Sequence, residues 1–186
     1  EDAEKTQSNP GMDLAEGNSM ETQKFNRTQM VALALLRIFI GWHFLYEGLA
    51  KLMKPNWSAA SFLLQARGPL SGFFHWIANS PEMLGAVNLM NIWGLILIGT
   101  SLILGCFTRT ASGAGLLLIL LYYFCNPPFV GYFYSLPSEG NYLIINKNLV
   151  EAAALLVTLA MASGRFYGMD LIIHKFFAGR RAANLG

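Results

Sequence analysis

Residues 41–51 read GWHFLYEGLAK. The stretch lies inside the first long apolar run of the chain, yet it holds His43, Glu47 and Lys51, and Arg37 stands four residues before it. A run this oily reads as a bilayer span, because about 20 apolar residues cross the hydrocarbon core. A charged group at the centre of such a span costs about 2.5–3.5 kcal/mol on insertion scales. The four ionisable residues are therefore expected to face other helices rather than lipid. With about 3.6 residues per turn, Arg37, Phe44 and Lys51 fall near one line, and His43 and Glu47 step one turn apart beside it. Leu35, Phe39 and Tyr46 take the opposite side.

The rest of the chain has the same character. Of its 186 residues 54% are hydrophobic and 13% charged, where soluble domains average about 25% charged. A soluble globule is excluded on this ground. The net charge of +2 is small and dispersed, which argues against nucleic-acid binding. Six of the eleven acids fall in the first 21 residues: Glu1, Asp2, Glu4, Asp13, Glu16 and Glu21. Residues 1–28 read as a flexible polar tail, without the basic-then-apolar order of a signal peptide. Residues 29–168 read as the membrane domain, and residues 169–186 as a basic amphipathic segment lying on the cytoplasmic leaflet.

Four segments are long and apolar enough to span: about Met30 to Met53, Met83 to Phe107, Thr110 to Phe129 and Leu149 to Ser163. Asn146 or Asn148 would cap the last. The expected fold is an all-α integral membrane protein, a four-transmembrane-helix bundle with amphipathic outer-loop helices. Lys and Arg near the span ends favour both termini in the cytoplasm. Residues 57–79 are apolar but broken by Gly68-Pro69, which predicts two short interfacial helices anchored by Trp57 and Trp76. The aromatic residues of 129–145 form either a lid over the bundle or an aromatic belt. Gly94, Gly99, Gly105, Gly113 and Gly115 permit close helix approach and also a homo-oligomer.

The second polar constellation opens the last span: Lys147, Asn148 and Glu151. With four spans it converges with Glu47 and Lys51 at the outer side of the membrane. Glu47 is then positioned to pair with Lys147, and Glu151 with Lys51 or Arg37. Either these groups only neutralise one another or they build a polar pocket. Cys106 and Cys125 belong to opposite ends of their spans, too far apart for a disulfide, which needs Cα atoms within about 7 Å. No metal-ligand or haem-ligand spacing is present, and His43 is expected to hydrogen-bond rather than bind a metal or haem.

LLRIFIGWHFLYEGLAKL (35–52), GLILIGTSLILGCFTRTAS (94–112) and NKNLVEAAALLVTLAMASGRFYGMD (146–170), in this order, resemble the DoxX family of four-span bacterial membrane proteins. The matching residues are Arg37, Gly41, Glu47, Gly48 and Lys51, the Gly99-to-Arg109 hairpin, and Asn148, Glu151, Gly164, Gly168 and Asp170. The resemblance implies a membrane-embedded, quinone-linked redox role, with chaperone and cargo-receptor roles among more distant relatives. On the first reading Arg37, His43, Glu47 and Glu151 carry the chemistry, and Lys51, Lys147 and Asn148 hold a quinone. Electrons would come from another membrane or periplasmic protein, since the chain shows no nucleotide or metal motif. The alternative is a non-enzymatic scaffold, chaperone or anchor, with the outer loops as docking surface. A transporter is weaker, because no repeat or broken-helix pair is present.

Overall fold

The computed structural model describes residues 26–129, 131, 132, 134, 143–161 and 170. Residues 1–25 of the polar tail, the basic C-terminal segment apart from Asp170, and most of the aromatic loop 129–145 lie outside them. Among the described residues all regular structure is helical: α1 (Arg27–Met53), α2 (Ala60–Leu64), α3 (Ser71–Asn79), α4 (Pro81–Leu104), α5 (Thr108–Cys125) and α6 (Lys147–Met161).

The element ends follow from local chemistry. The Asn26 N–H donates to Gln29 Oε1 at 2.9 Å and closes the start of α1. Pro81 opens α4, where its missing N–H costs nothing. Gly105 ends α4 at φ 66°, and Cys106 N–H reaches back to the Ser101 carbonyl at 3.0 Å. Phe107 then also sits at positive φ, 51°, uncommon for a bulky residue. Asp170 holds this turn: its carboxylate accepts from Phe107 N–H at 2.7 Å and Thr108 N–H at 3.0 Å. A residue 62 positions away thus caps α5, which no local reading of CFTRT predicts. At α6 the cap is Asn146, whose Oδ1 accepts from Leu149 N–H at 3.1 Å.

By length and composition α1, α4 and α5 can each cross a membrane. The described part of α6 has 15 residues, about 22 Å at the α-helical rise. The four long helices pack in the cyclic order α1, α4, α5, α6. α1 and α4 run antiparallel: Gly41 lies against Gly99 and Ile103, and Gly48 against Leu95 and Ile96. The core between the helices is Ile40, Phe44, Leu95, Ile98, Leu102, Ala111, Ile119, Ala152 and Leu155. Ser112 and Thr158 hydrogen-bond through their hydroxyls at 2.9 Å between α5 and α6, both fully buried.

The glycines are not equivalent. A methyl group on Gly99 would stand 2.5 Å from the Leu45 nitrogen and 2.6 Å from the Gly41 carbonyl oxygen, whereas Gly94 has nothing within 4 Å. Gly115 is in contact with Ile98, Phe44 and Leu155, while Gly113 barely reaches Leu159. The expectation of close approach therefore fails at Gly94 and Gly113, because those positions face away from the seams.

The short helices do form where Gly68-Pro69 divides the segment, but they do not simply float in the interface. Ala59, Leu63, Ala66, Phe74, Ile77 and Cys125 make a second core that seats α2 and α3 on one end of the bundle. Asn88 Oδ1 accepts from Ala59 N–H at 2.9 Å, and Arg67 N–H donates to the Cys125 carbonyl at 3.3 Å. Gly68 admits no side chain, since a Cβ there would meet the Phe124 carbonyl oxygen. We call this the capped end and the opposite one the Asp170 end. Cys125 is buried under the cap and Cys106 is half-buried at the Asp170 end; both are free thiols.

Candidate functional site

α1 supplies the backbone of the site. His43, Glu47 and Lys51 recur every four residues along one face, so each stands one turn nearer the capped end than the last. His43 Nδ1 hydrogen-bonds Glu151 Oε1 at 2.7 Å, joining α1 to α6. Only one turn of α6 precedes Glu151, which sets its carboxylate at this level. The pair is unequally covered: the His43 side chain is 48% exposed and that of Glu151 only 12%. Glu151 is the hydrogen-bond partner of the ring among the described residues, and the rest of the ring is half-exposed beside the α1–α6 contact. Glu47 and Lys147 lie near enough to act on His43 through space.

Lys51 turns the other way, into the bundle. Its side chain is 18% exposed and donates to Asn91 Oδ1 at 3.2 Å and to the Tyr122 hydroxyl at 3.5 Å. Asn91 Nδ2 in turn donates to the Tyr122 hydroxyl at 2.5 Å. The ammonium also lies 5.3 Å from the centre of the Trp57 ring and 5.4 Å from that of Tyr122, within cation–π range. Glu47, at 3.8 Å, completes its surroundings. One end of α1 thus carries two polar clusters linked by Glu47: an inward one on α4 and α5, and an outward one on α6.

The pairing differs from what charge alone suggested. Glu47 pairs along its own helix with Lys51, and Glu151 takes His43 rather than Lys51 or Arg37. Besides Glu47, Lys51 meets neutral hydrogen-bond partners and aromatic faces, which reach it from α4, α5 and the chain before α2. Lys147 is exposed at the first residue of α6, and Asn148 is half-buried beside it. Arg37 is apart from the cluster. It is 2% exposed, lies two turns from His43 toward the Asp170 end, and feels the Asp170 carboxylate.

Asn91, Tyr122 and Trp57 belong to the site, and the charge-based reading did not assign them to it. Asn91 had a signal, since it and Asn88 are amides in an otherwise apolar span. Trp57 reads as an interfacial anchor and Tyr122 carries no signal of its own, because nothing in the sequence shows that both rings close on one ammonium. The described residues contain no group of three or more His, Cys, Asp or Glu side chains placed to hold a metal ion.

The DoxX family model matches residues 32–125, just over half of the chain, from the start of the α1 face to the end of α5. No curated protein matches the chain. No solved structure matches it.

Proposed function

Since the chain belongs to the DoxX family and is a membrane protein, we propose that it is the membrane subunit of a quinone-linked oxidoreductase complex in a bacterial inner membrane, with α6 as its fourth span and the capped end facing out. The observation that carries this reading is the half-exposed His43 ring, held by Glu151 between α1 and α6. A polar group exposed to hydrocarbon is costly, so a ligand that reaches it from the bilayer and accepts its hydrogen bond offsets that cost.

A quinone head fits these residues. It carries carbonyl acceptors on an apolar ring with a lipid-soluble tail, and its chemistry when bound is the uptake and release of electrons with protons. His43 would hold a carbonyl through Nε2. Glu151 fixes the ring's orientation through Nδ1. Glu47, itself 46% exposed, stands next along the same face and would exchange protons toward the capped end. Lys51, Asn91 and Tyr122 keep the inner wall of the site fixed. Electrons would come from a separate protein.

The test is mass spectrometry of the gently extracted native assembly, scoring proteins and lipid-soluble cofactors together, with the His43→Phe variant in parallel. A stoichiometric quinone that is lost in His43→Phe, accompanied by a redox protein, supports the reading. A stable protein partner without quinone overturns it, and the polar groups then form the docking or structural network of a scaffold or anchor.

A further inference from the structure

The cap presents an apolar surface that the quinone reading does not use. On α3, Phe74 and Ile77 are buried in the second core, while Phe73 and Trp76, one residue off in register, are 52% and 53% exposed. The two exposed rings stack, with centroids 6.1 Å apart and planes 28° apart. Leu64 and Leu70 are exposed on the same cap. α3 is therefore apolar on both of its faces. A helix of that kind buries its second face against something other than water.

Two features identify what covers it. From Trp57 to Pro81 the only ionisable side chains are Arg67 and His75, so the surface offers no charge pattern for a polar protein partner or for anionic headgroups. It is also continuous with the membrane face. Ser80 alone separates α3 from α4, whose exposed residues Met83, Leu89, Met90, Trp93 and Leu97 run along a span-capable helix.

We propose that the Phe73–Trp76 face of α3 is a lipid-binding surface, immersed in the boundary between headgroups and acyl chains of the leaflet at the capped end. The contact is with uncharged or zwitterionic lipid. Aromatic side chains favour this boundary, and an interfacial helix sinks about 5–10 Å into it. Trp57, turned inward over Lys51, does not share the contact. The cap, seated on the bundle through its second core, thereby fixes how deep the bundle sits, independent of what occupies the α1–α6 seam.

The test uses the full chain in zwitterionic bilayers and compares tryptophan emission with that of Trp76→Phe; the difference is the Trp76 signal. Phe keeps an aromatic ring in the stack, and a second variant, Trp76→Phe with Phe73→Trp, places the probe one turn away on the same face. Lipids brominated near the headgroup end of the acyl chain should quench most of the difference signal, and lipids brominated near the chain terminus much less. Adding anionic lipid should leave both values unchanged. Quenching by aqueous iodide instead of brominated lipid would overturn the proposal, as would a signal that neither quencher reaches, which would mean a protein covers the face.

Discussion

Gly99→Ala tests the packing argument most directly. The added methyl would sit 2.5 Å from the Leu45 nitrogen, 2.6 Å from the Gly41 carbonyl oxygen and 2.8 Å from the Leu45 Cα. All three are backbone atoms of α1, so no rotamer change relieves the clash. Reaching even the near edge of ordinary contact, 3.4 Å, requires α1 and α4 to separate by about an ångström over the crossing. In a membrane, association of helices rests on van der Waals contact rather than on expulsion of water. A gap of that size forfeits a quarter to a half of each contact's attraction. The expected cost lies in the overpacking range of about 1–3 kcal/mol. Gly94→Ala on the same helix is the control: it meets nothing within 4 Å and should change stability by no more than about 0.5 kcal/mol. The assay is reversible unfolding in mixed micelles, followed by circular dichroism, with both variants against the parent. Equal losses at the two positions, or a neutral Gly99→Ala, would refute the α1–α4 geometry.

Asp170→Ala should uncap α5 and release the Phe107 turn, lowering stability by about 0.5–2 kcal/mol as for other lost N-caps, with Asp170→Asn retaining part of the effect; thermal unfolding reads this. The Ser112–Thr158 bond should show a coupling energy near 0.6 kcal/mol in a double-mutant cycle with Ser112→Ala and Thr158→Val, the average for interhelical bonds in membranes; a coupling of zero would mean the hydroxyls do not meet. Lys51→Met should keep the aliphatic stem between Trp57 and Tyr122 but leave Asn91 Oδ1 without that donor, at a cost of about 1–3 kcal/mol, and it should shift Trp57 emission. Tyr134 lies outside the spans and donates to the Pro127 carbonyl at 2.8 Å. Burial raises its pKa above the ordinary value of 10.0, with the nearby Arg67 opposing. A raised folded pKa means that its stabilising contribution is present below the unfolded value and lost as pH rises through the folded one. Alkaline difference spectroscopy should therefore show a late-titrating component, and Tyr134→Phe should lower its amplitude by one tyrosine.

Much of this molecule is legible in one dimension. Span positions follow from the run lengths of apolar residues. The Gly68-Pro69 break places the two short helices, and the four-residue recurrence of His43, Glu47 and Lys51 places them on one face. These are properties of the chain against solvent and of the helical repeat, so they need no partner to be known. The tertiary structure decided which groups meet. Charge complementarity alone could not choose between Glu47 with Lys147 and Glu47 with Lys51, because that choice depends on the relative height of α1 and α6. It could not separate Gly99 from Gly94, which differ only in which side of α4 faces α1. It could not bring Asn91 and Tyr122 onto Lys51, or Asp170 onto the start of α5, because those contacts join residues 40 to 71 positions apart along the chain. Local sequence fixes the period and length of each helix; rotation and register between helices are set by packing, and the site lies in that second set of quantities.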